Sequence, residues 1–269
     1  MVGVSEDQVA EWQAAVGRQS TEVQRLDAAA LTRYARAVGV DDDAMAPLAH
    51  WAFFLPCPRD GEIGEDGHPR RGGFLPAITL PRRMFAASTA EFLRPLLVGE
   101  EAEQTSTILS VTHKSGSTGE LVFVEVERVI AQSGEPLLRE TQTYVYREVG
   151  SPPPMPQPLA SPPEGEAWCP SEVNLFRFSA ATFNGHRIHY DAPYARDVEG
   201  YPALVVHGPF TAARLASLAM REGPLRGFTF RARAPLFLGQ TIYFRAGGEG
   251  VFEAVRCDGA VAMTATATH

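Results

Sequence analysis

The fold is decided near the C-terminus, by a helix of small and apolar residues that precedes a run of strands. The helix reads Pro209-Phe-Thr-Ala-Ala-Arg-Leu-Ala-Ser-Leu-Ala-Met-Arg221, a composition typical of a helix that is buried on every side. Period-two patterns follow it and predict strands at residues 227–234, 241–246, 250–257 and 260–268. This order predicts a buried helix wrapped by an antiparallel sheet.

The first half of the chain repeats this order of elements. Apolar spacings of three and four predict helices over residues 6–16 and 22–38, and the apolar segment 47–55 is either a buried helix or an aromatic plug. Glycines, prolines and charges predict a loop over 56–73. Strands are predicted at 105–112, 120–130 and 137–147. The repeat predicts an α+β protein of the double hot-dog type, in which two antiparallel sheets each wrap a central helix.

A proline-rich segment divides the two halves. Residues 151–163 carry seven prolines, which cannot donate into a sheet or sustain a helix, so this segment is predicted to run extended as a semi-rigid spacer. The predicted domains are therefore residues 1–150 and 164–269.

Composition excludes several classes of protein. The chain has 269 residues, 45% of them hydrophobic, and a formal charge of -8 with a pI near 5.4, which argues against a nucleic-acid surface. The three cysteines, Cys57, Cys169 and Cys257, form no metal-type pair, and an odd number of them is typical of a reducing cytoplasm. No apolar run is long enough to span a membrane. We expect a cytoplasmic enzyme that binds neither nucleic acid nor membrane.

Groups able to move protons are concentrated in one stretch, Ser179-Ala-Ala-Thr-Phe-Asn184-Gly-His-Arg-Ile-His189-Tyr-Asp191, with His207-Gly208-Pro209 after it. His189 is the natural general base or acid, because imidazole accepts and returns protons near neutral pH. The Asn184 amide can hold a water or orient the imidazole. Gly208 stands where a helix begins, and free amides there can stabilise an oxyanion on a thioester or ester carbonyl.

The same stretch also raises a metal hypothesis. His186, His189, Asp191 and His207 are ligand types that suit zinc or non-haem iron. Their spacing matches no strong metal signature, and Arg187 within the cluster would oppose a cation. We therefore expect no metal and no other cofactor.

The stretch resembles the signature of the MaoC-like (R)-specific enoyl-thioester hydratases. The likeness continues through Tyr190-Asp191-Ala-Pro-Tyr-Ala195 and Gly200-Tyr-Pro-Ala-Leu-Val-Val-His-Gly-Pro209, and in the first half through Leu80-Pro-Arg-Arg-Met-Phe85 and residues 114–147. It is similar in particular to the branch of mitochondrial type 2 3-hydroxyacyl-thioester dehydratases and bacterial mesaconyl- and itaconyl-CoA hydratases. Members of this branch carry two hot-dog units in one chain.

This resemblance implies a lyase that adds water across the double bond of an enoyl thioester, or removes it from a 3-hydroxyacyl thioester. The carrier is coenzyme A or an acyl carrier protein. The family's catalytic histidine corresponds to His189, its carbonyl-polarising amide to Gly208, and its aspartate to Asn184, which is a departure from the family's pattern. The resemblance further implies that the first half is a degenerate hot dog with a widened acyl pocket, and that the protein is a homodimer.

Other polar residues are candidates for binding the substrate. Arg82 and Arg83 could grip a CoA phosphate or a free carboxylate on the acyl group, although a solvated basic pair is the alternative reading. The remaining candidates are His186, Tyr190, Asp191 and His207. Two other functions remain open: a hot-dog acyl-CoA thioesterase, which needs a carboxylate aligned for hydrolysis, and a non-catalytic protein that binds acyl thioesters.

Overall fold

A computed structural model describes residues 4–116, 119–151 and 153–269, and its strands form one antiparallel sheet. The strands of the first half are β1 (Gln19–Arg25), β2 (Arg82–Phe92), β3 (Glu101–Gly116), β4 (Gly119–Gln132) and β5 (Glu135–Arg147). Those of the second half are β6 (Glu166–Trp168), β7 (Gly227–Ala232), β8 (Ile242–Gly248), β9 (Val251–Arg256) and β10 (Val261–Thr268). The helices are α1 (Glu6–Gln13), α2 (Ala28–Val38), α3 (Glu172–Ala181) and α4 (Gly208–Ala219).

The two halves are joined edge to edge. The strand order is β1-β3-β4-β5-β2-β7-β10-β9-β8-β6, so β2 of the first half pairs with β7 of the second. This pairing runs from Ala87 opposite Arg231 to Glu91 opposite Gly227. The predicted double hot-dog architecture is confirmed, with its two sheets continuous with each other.

Helix α4, the predicted helix of small and apolar residues, is the core of the second half. Phe210, Ala212, Ala213, Leu215 and Ala216 of α4 are at most 1% exposed, and the helix packs against strands β7 to β10 and against β2. Small side chains let the helix lie close to the sheet that wraps it. The four strands predicted after this helix are present as β7 to β10.

The predicted helix over residues 22–38 is wrong in its first part. Residues 19–25 form β1, an edge strand paired with β3, and the helix begins only after Asp27, whose carboxylate accepts a hydrogen bond from the Ala29 N–H. Val23 and Leu26 are three apart, a spacing that fits a helix, but 58% of Val23 is exposed on the strand. Hydrogen bonding to β3 therefore makes this segment a strand, although its apolar spacing favours a helix. Helix α2 ends at Gly39, as predicted.

Two further segments were predicted imperfectly. Helix α3 was not predicted, although Ser171 and Asn174 form a capping box at its start and its Phe178 ring stacks on Phe210 at 4.7 Å. The apolar segment 47–55 contains one short 3-10 turn, Ala49–Ala52.

In the described part of the proline-rich segment, residues 153–163, the backbone forms neither helix nor strand, and Pro152 lies outside the described residues. Among the described residues, the helices are too short or too polar to cross a membrane.

Candidate active site

A cavity of about 1000 Å³ lies between the two halves, and residues of both line it. The second half contributes the predicted catalytic residues Asn184, His189 and Gly208. The first half contributes side chains from β2, β4 and β5 and from the turn at residues 49–52. The three residues that the sequence singled out for catalysis therefore share one cavity.

His189 is held in one orientation by its own backbone surroundings. It ends a short 3-10 turn, Arg187–His189, and its Nδ1 lies 2.7 Å from the Val205 carbonyl oxygen. Because a carbonyl can only accept, Nδ1 carries the proton and Nε2 keeps its lone pair. The Val205 N–H donates back to the Ile188 carbonyl at 3.0 Å. Burial lowers the pKa of His189 to about 3, so the ring is neutral at physiological pH and can act as a base.

His207 lies behind His189 rather than in the cavity. The two rings stack with centroids 3.6 Å apart and an interplanar angle of 20°. The His207 Nε2 lies 2.8 Å from the Ser179 hydroxyl, and the side chain is fully buried. Burial, followed by the charges of His189 and His186, lowers the pKa of His207 well below its ordinary value. The structure therefore places His207 against the ring of His189 and outside the cavity lining, so the prediction that His207 contacts substrate is not supported by its position.

Gly208 is the first residue of α4, so its N–H is one of the amides that a helix leaves without an intrahelical partner. The helix dipole adds partial positive charge at this end. Gly208 lines the cavity, and the nearest atom to a side chain placed on it would be the Phe85 carbonyl oxygen, 3.5 Å away. The space beside this amide would therefore allow an oxygen of a ligand to approach it from the cavity.

Asn184 is held by a strained backbone and by its own side chain. The preceding residue, Phe183, has a φ of 47°, which is costly for a bulky side chain. The Asn184 Oδ1 accepts a hydrogen bond from the His186 N–H at 3.0 Å. This contact leaves Nδ2, a donor, for the cavity. A carboxylate at this position would offer no such donor when ionised.

A loop of the first half packs closely against the segment around Gly185, which precedes His189. At Gly67 and Gly185 the two backbones are so close that a Cβ on Gly67 would lie 1.8 Å from the Gly185 carbonyl oxygen. The Arg187 N–H donates to the Asp66 carbonyl at 2.9 Å. The sequence predicted a loop over residues 56–73, but no pattern in it indicated a role in the site.

The two adjacent arginines have different surroundings. Arg82 is 3% exposed, its Nε lies 3.2 Å from the Glu199 carboxylate, and its guanidinium covers the Tyr201 ring at 5.2 Å. It does not line the cavity. Arg83 does line it, and its charge acts on Asp66 and His186. Neighbouring residues of a strand face opposite sides, so only one of the two can reach a ligand.

Of the other predicted binding residues, His186 and Tyr190 line the cavity and Asp191 does not. The Tyr190 hydroxyl donates to the Gly185 carbonyl at 2.9 Å. Asp191 forms an ion pair with Arg187 at 2.7 Å and accepts a hydrogen bond from the Tyr194 N–H. Asp191 therefore stabilises the loop that carries the site.

The metal-type residues that the sequence placed together do not converge as that hypothesis required. His189 is bonded to a backbone carbonyl and Asp191 to Arg187. A different trio, Asp66, His68 and His186, has its ligand atoms within 4.8 Å of one another. Burial alone would raise the pKa of Asp66, but the hydrogen bond and charge of His68, with the charge of Arg83, lower it. The positive charge of Arg83 beside this trio opposes a metal cation.

A polar network in the first-half wall of the cavity was missed by the sequence analysis. At its centre is Glu140, 1% exposed, whose oxygens accept from the Ser88 hydroxyl at 2.6 Å and the Trp51 ring N–H at 3.1 Å and lie 3.3 Å from His50 Nε2. Burial alone would raise the pKa of Glu140, but the His50 charge and hydrogen bond and the Ser88 hydrogen bond lower it to about 2. Polar residues on both faces of β5 were the signal that could have revealed this network.

The contact between Gly67 and Gly185 predicts a specific sensitivity. Gly67→Ala must displace a backbone carbonyl and accept a φ of +87°, whereas Gly17→Ala accepts a φ of +84° with nothing within 4 Å. We expect a loss in free energy of unfolding of about 3 kcal/mol for Gly67→Ala and about 1 kcal/mol for Gly17→Ala, measured by denaturant unfolding. Equal losses in free energy of unfolding for the two variants would mean that the close contact between Gly67 and Gly185 does not add to the stability of the protein.

The buried histidines predict a loss of stability in acid. An unfolded histidine binds a proton near pH 6.5, but His189 in the folded protein does so only near its pKa of about 3. The unfolded state therefore binds more protons, and stability falls as the pH decreases below about 7. His189 alone should contribute a loss of about 2 kcal/mol between pH 7 and pH 5. In denaturant unfolding at the two pH values, His189→Gln should lose less stability than the wild type; identical losses would contradict the prediction.

Comparison with known proteins shows which family this chain belongs to. The chain matches the family of hydroxyacyl-thioester dehydratases type 2 over residues 48–238. It is 43% identical to the mesaconyl-C(4)-CoA hydratase of Chloroflexus aurantiacus over 272 residues, covering 96% of this chain and 97% of that protein.

Two solved structures show the same fold at low sequence identity. HtdX of Mycobacterium tuberculosis superposes with a TM-score of 0.67 and 17% identity, covering 93% of this chain and 99% of that one. A conserved hypothetical protein of the same organism, described as a double hot-dog fold, gives a TM-score of 0.54 at 14% identity, covering 94% and 96%. On the family match and the Chloroflexus relative, this chain belongs to the type 2 hydroxyacyl-thioester dehydratases.

Proposed function

We propose that this protein catalyses the reversible hydration of an enoyl thioester to a 3-hydroxyacyl thioester, with coenzyme A as the carrier. The observation that carries the proposal is the orientation of His189, whose Nδ1–H is bonded to the Val205 carbonyl while Nε2 remains free in a cavity that Gly208 also lines. A neutral base and a helix-start amide are the two groups that this reaction needs. The 43% identity to a mesaconyl-C(4)-CoA hydratase supports the same reaction class.

In the hydration direction, a water donates one hydrogen bond to His189 Nε2 and accepts one from Asn184 Nδ2. As Nε2 takes the proton, the hydroxide attacks Cβ and the negative charge moves to the thioester oxygen, which the Gly208 N–H stabilises. Nε2 then delivers the proton to Cα, so the overall change is the addition of one water. Because the pKa of His189 is about 3, a long-lived imidazolium is unfavourable, and the proton is passed on directly. Holding the water between two side chains supplies much of the rate gain.

Asparagine suits this mechanism at position 184. Its Oδ1 accepts from the His186 N–H, so Nδ2 is the amide group that we propose meets the water in the cavity that Asn184 lines. The amide is therefore a permanent donor that orients the water oxygen, and His189 alone carries the proton.

A thioesterase is the second function that the sequence left open, and the cavity offers it little. Hydrolysis would need a carboxylate aligned with the catalytic histidine or with water. Among the described residues that line the cavity, Glu140 is the one carboxylate, and its oxygens are engaged by Ser88, Trp51, His50 and Gln142. The proposed hydration uses His189, Asn184 and Gly208, whereas thioester hydrolysis would need Glu140, whose oxygens already have hydrogen-bonding partners.

We also propose how the carrier is bound, where the protein is located in the cell and how it assembles. Arg83, which lines the same cavity as His186 and Tyr190, is proposed to meet an anionic group of the carrier, whereas Arg82 is already paired with Glu199. Three cysteines without disulfides support a cytoplasmic location. Exposed apolar side chains on α3, Val173 at 62% and Phe176 at 65%, support a homodimer that covers them.

The role of His189 is tested by enoyl-CoA hydration followed at the enoyl absorbance. With crotonyl-, mesaconyl- and itaconyl-CoA as substrates, we expect activity in the wild type and a loss of kcat of at least about 1000-fold in His189→Ala, because the base is removed. His113→Ala is the matched control, since His113 lies on β3 and contacts Glu120 away from the cavity. Full activity in His189→Ala would refute its assigned role, and release of free thiol by the wild type would favour the thioesterase.

The role of Asn184 is tested by Asn184→Asp. An ionised carboxylate can still accept from the His186 N–H but cannot donate to the water, so we expect kcat to fall about 100-fold with little change in KM. Steady-state kinetics on the preferred enoyl-CoA measure both constants. A rise in kcat would show that the site works better with a charged pair and that Asn184 is not needed as a donor.

A further inference from the structure

One wall of the mostly apolar cavity carries a group of polar side chains from the strands of the first half, which is unusual for a pocket that would hold only an aliphatic acyl chain. Alternate residues of β5, Glu140, Gln142 and Tyr144, line it together with Arg128 of β4 and Gln104 of β3. Glu140, Gln142 and Gln104 are each less than 8% exposed. Burying polar groups is costly unless they have partners, so a group of this wall that lacks a partner within the protein favours a polar ligand.

Hydrogen bonds within this polar wall run in one direction. The Gln142 Nε2 donates to Glu140 at 2.8 Å, so Gln142 presents its Oε1 to Tyr144, whose hydroxyl donates to it at 2.6 Å. The Tyr144 oxygen in turn accepts from the Arg128 Nη2 at 3.3 Å. The chain therefore begins at the Arg128 guanidinium and ends at the Glu140 carboxylate.

Arg128 keeps most of its donors free. Its Nε is buried without a hydrogen-bond partner among the described residues. Glu140 stands opposite Arg128 in the strand register, yet no ion pair within 4.0 Å joins them in the described part of the chain, and Glu140 is occupied by other donors. A guanidinium offers five N–H donors in a planar fork that fits a carboxylate.

Contacts connect this guanidinium to the proposed catalytic amide. Phe85 lies beside Gly208, with its carbonyl oxygen 3.5 Å from where a Gly208 Cβ would be. Its ring stacks on Tyr144 with centroids 5.5 Å apart, and the Tyr144 hydroxyl contacts Arg128. An acyl group whose thioester oxygen meets Gly208 therefore has Phe85 and Tyr144 along its side and Arg128 beyond them.

We propose that Arg128, oriented by Tyr144, binds a free carboxylate on the acyl group, which makes this protein selective for short dicarboxylic acyl thioesters. The inference rests on the proposed hydratase function and names the substrate class of that site. Arg83 also lines the cavity, and its charge acts on Asp66 and His186; it is the arginine proposed above to meet an anionic group of the carrier. Arg83 and Arg128 thus serve different anionic groups of one substrate.

The experiment compares an acyl group that carries a carboxylate with one that does not. Hydration of mesaconyl-C4-CoA and of crotonyl-CoA is measured for wild type, Arg128→Gln, Arg128→Lys and Tyr144→Phe. We expect Arg128→Gln to lower the ratio of kcat/KM for mesaconyl-C4-CoA over crotonyl-CoA by about 100-fold, because the charge and the fork are both lost. Arg128→Lys should recover part of that ratio, and Tyr144→Phe should lower it by about 5-fold to 10-fold.

Two controls separate the possible failures. Arg139→Gln changes an exposed arginine on the same strand pair and should leave the ratio unchanged. Tyr144→Phe removes a single hydroxyl, so it reports on the polar wall even if Arg128→Gln does not fold. A wild type that hydrates crotonyl-CoA, with a ratio unaffected by Arg128 or altered instead by Arg83→Gln, would overturn the inference alone. A wild type that hydrates neither thioester would overturn the proposed function as well.

Discussion

The pairing of β2 with β7 is the interaction on which the rest of the structure depends. It joins two five-stranded units into one sheet through five residue pairs, and the cavity exists only because the units are held side by side. Strand β2 also carries Arg83 and Phe85 into the cavity, and a register shift between Phe85 and Ala87 lets Ser88 reach Glu140 further along. Strand β2 therefore both joins the two halves and supplies part of the cavity wall that faces the residues proposed to be catalytic.

Burial of the histidines sets the chemistry of the site. His186, His189 and His207 are each at most 8% exposed, and for each of them burial is the largest cause of a lowered pKa. Three neutral rings can lie close together where three charged ones could not. The same burial makes folding sensitive to acid, so the property that keeps His189 neutral also limits the pH range over which the protein is stable.

Much of the second half could be predicted from sequence, because its signals are local. Helix α4 and the strands after it have clean periods, and Asn184, His189 and Gly208 lie within a short stretch. The edge strand β1 could not be predicted in this way, because its apolar residues fit a helical spacing and only pairing with β3 decides otherwise. Neighbouring arginines on β2 are equivalent in sequence, and only the packing of Glu199 against Arg82 separates their roles. The approach of Gly67 to Gly185 joins residues more than a hundred positions apart, and no local pattern records it.

The proposed catalytic residues and the polar wall belong to different halves of the chain, which affects how the acyl specificity of such proteins can change. The residues proposed to do the chemistry lie in the second half, on α4 and the loops before it, whereas the polar wall that would contact the far end of an acyl group lies on β3, β4 and β5 of the first half. Substitutions in that wall can change which acyl groups fit without altering the geometry of His189. If the chemistry is confined to the second half as proposed, the wall in the first half can vary and accept new acyl groups while the reaction itself stays the same.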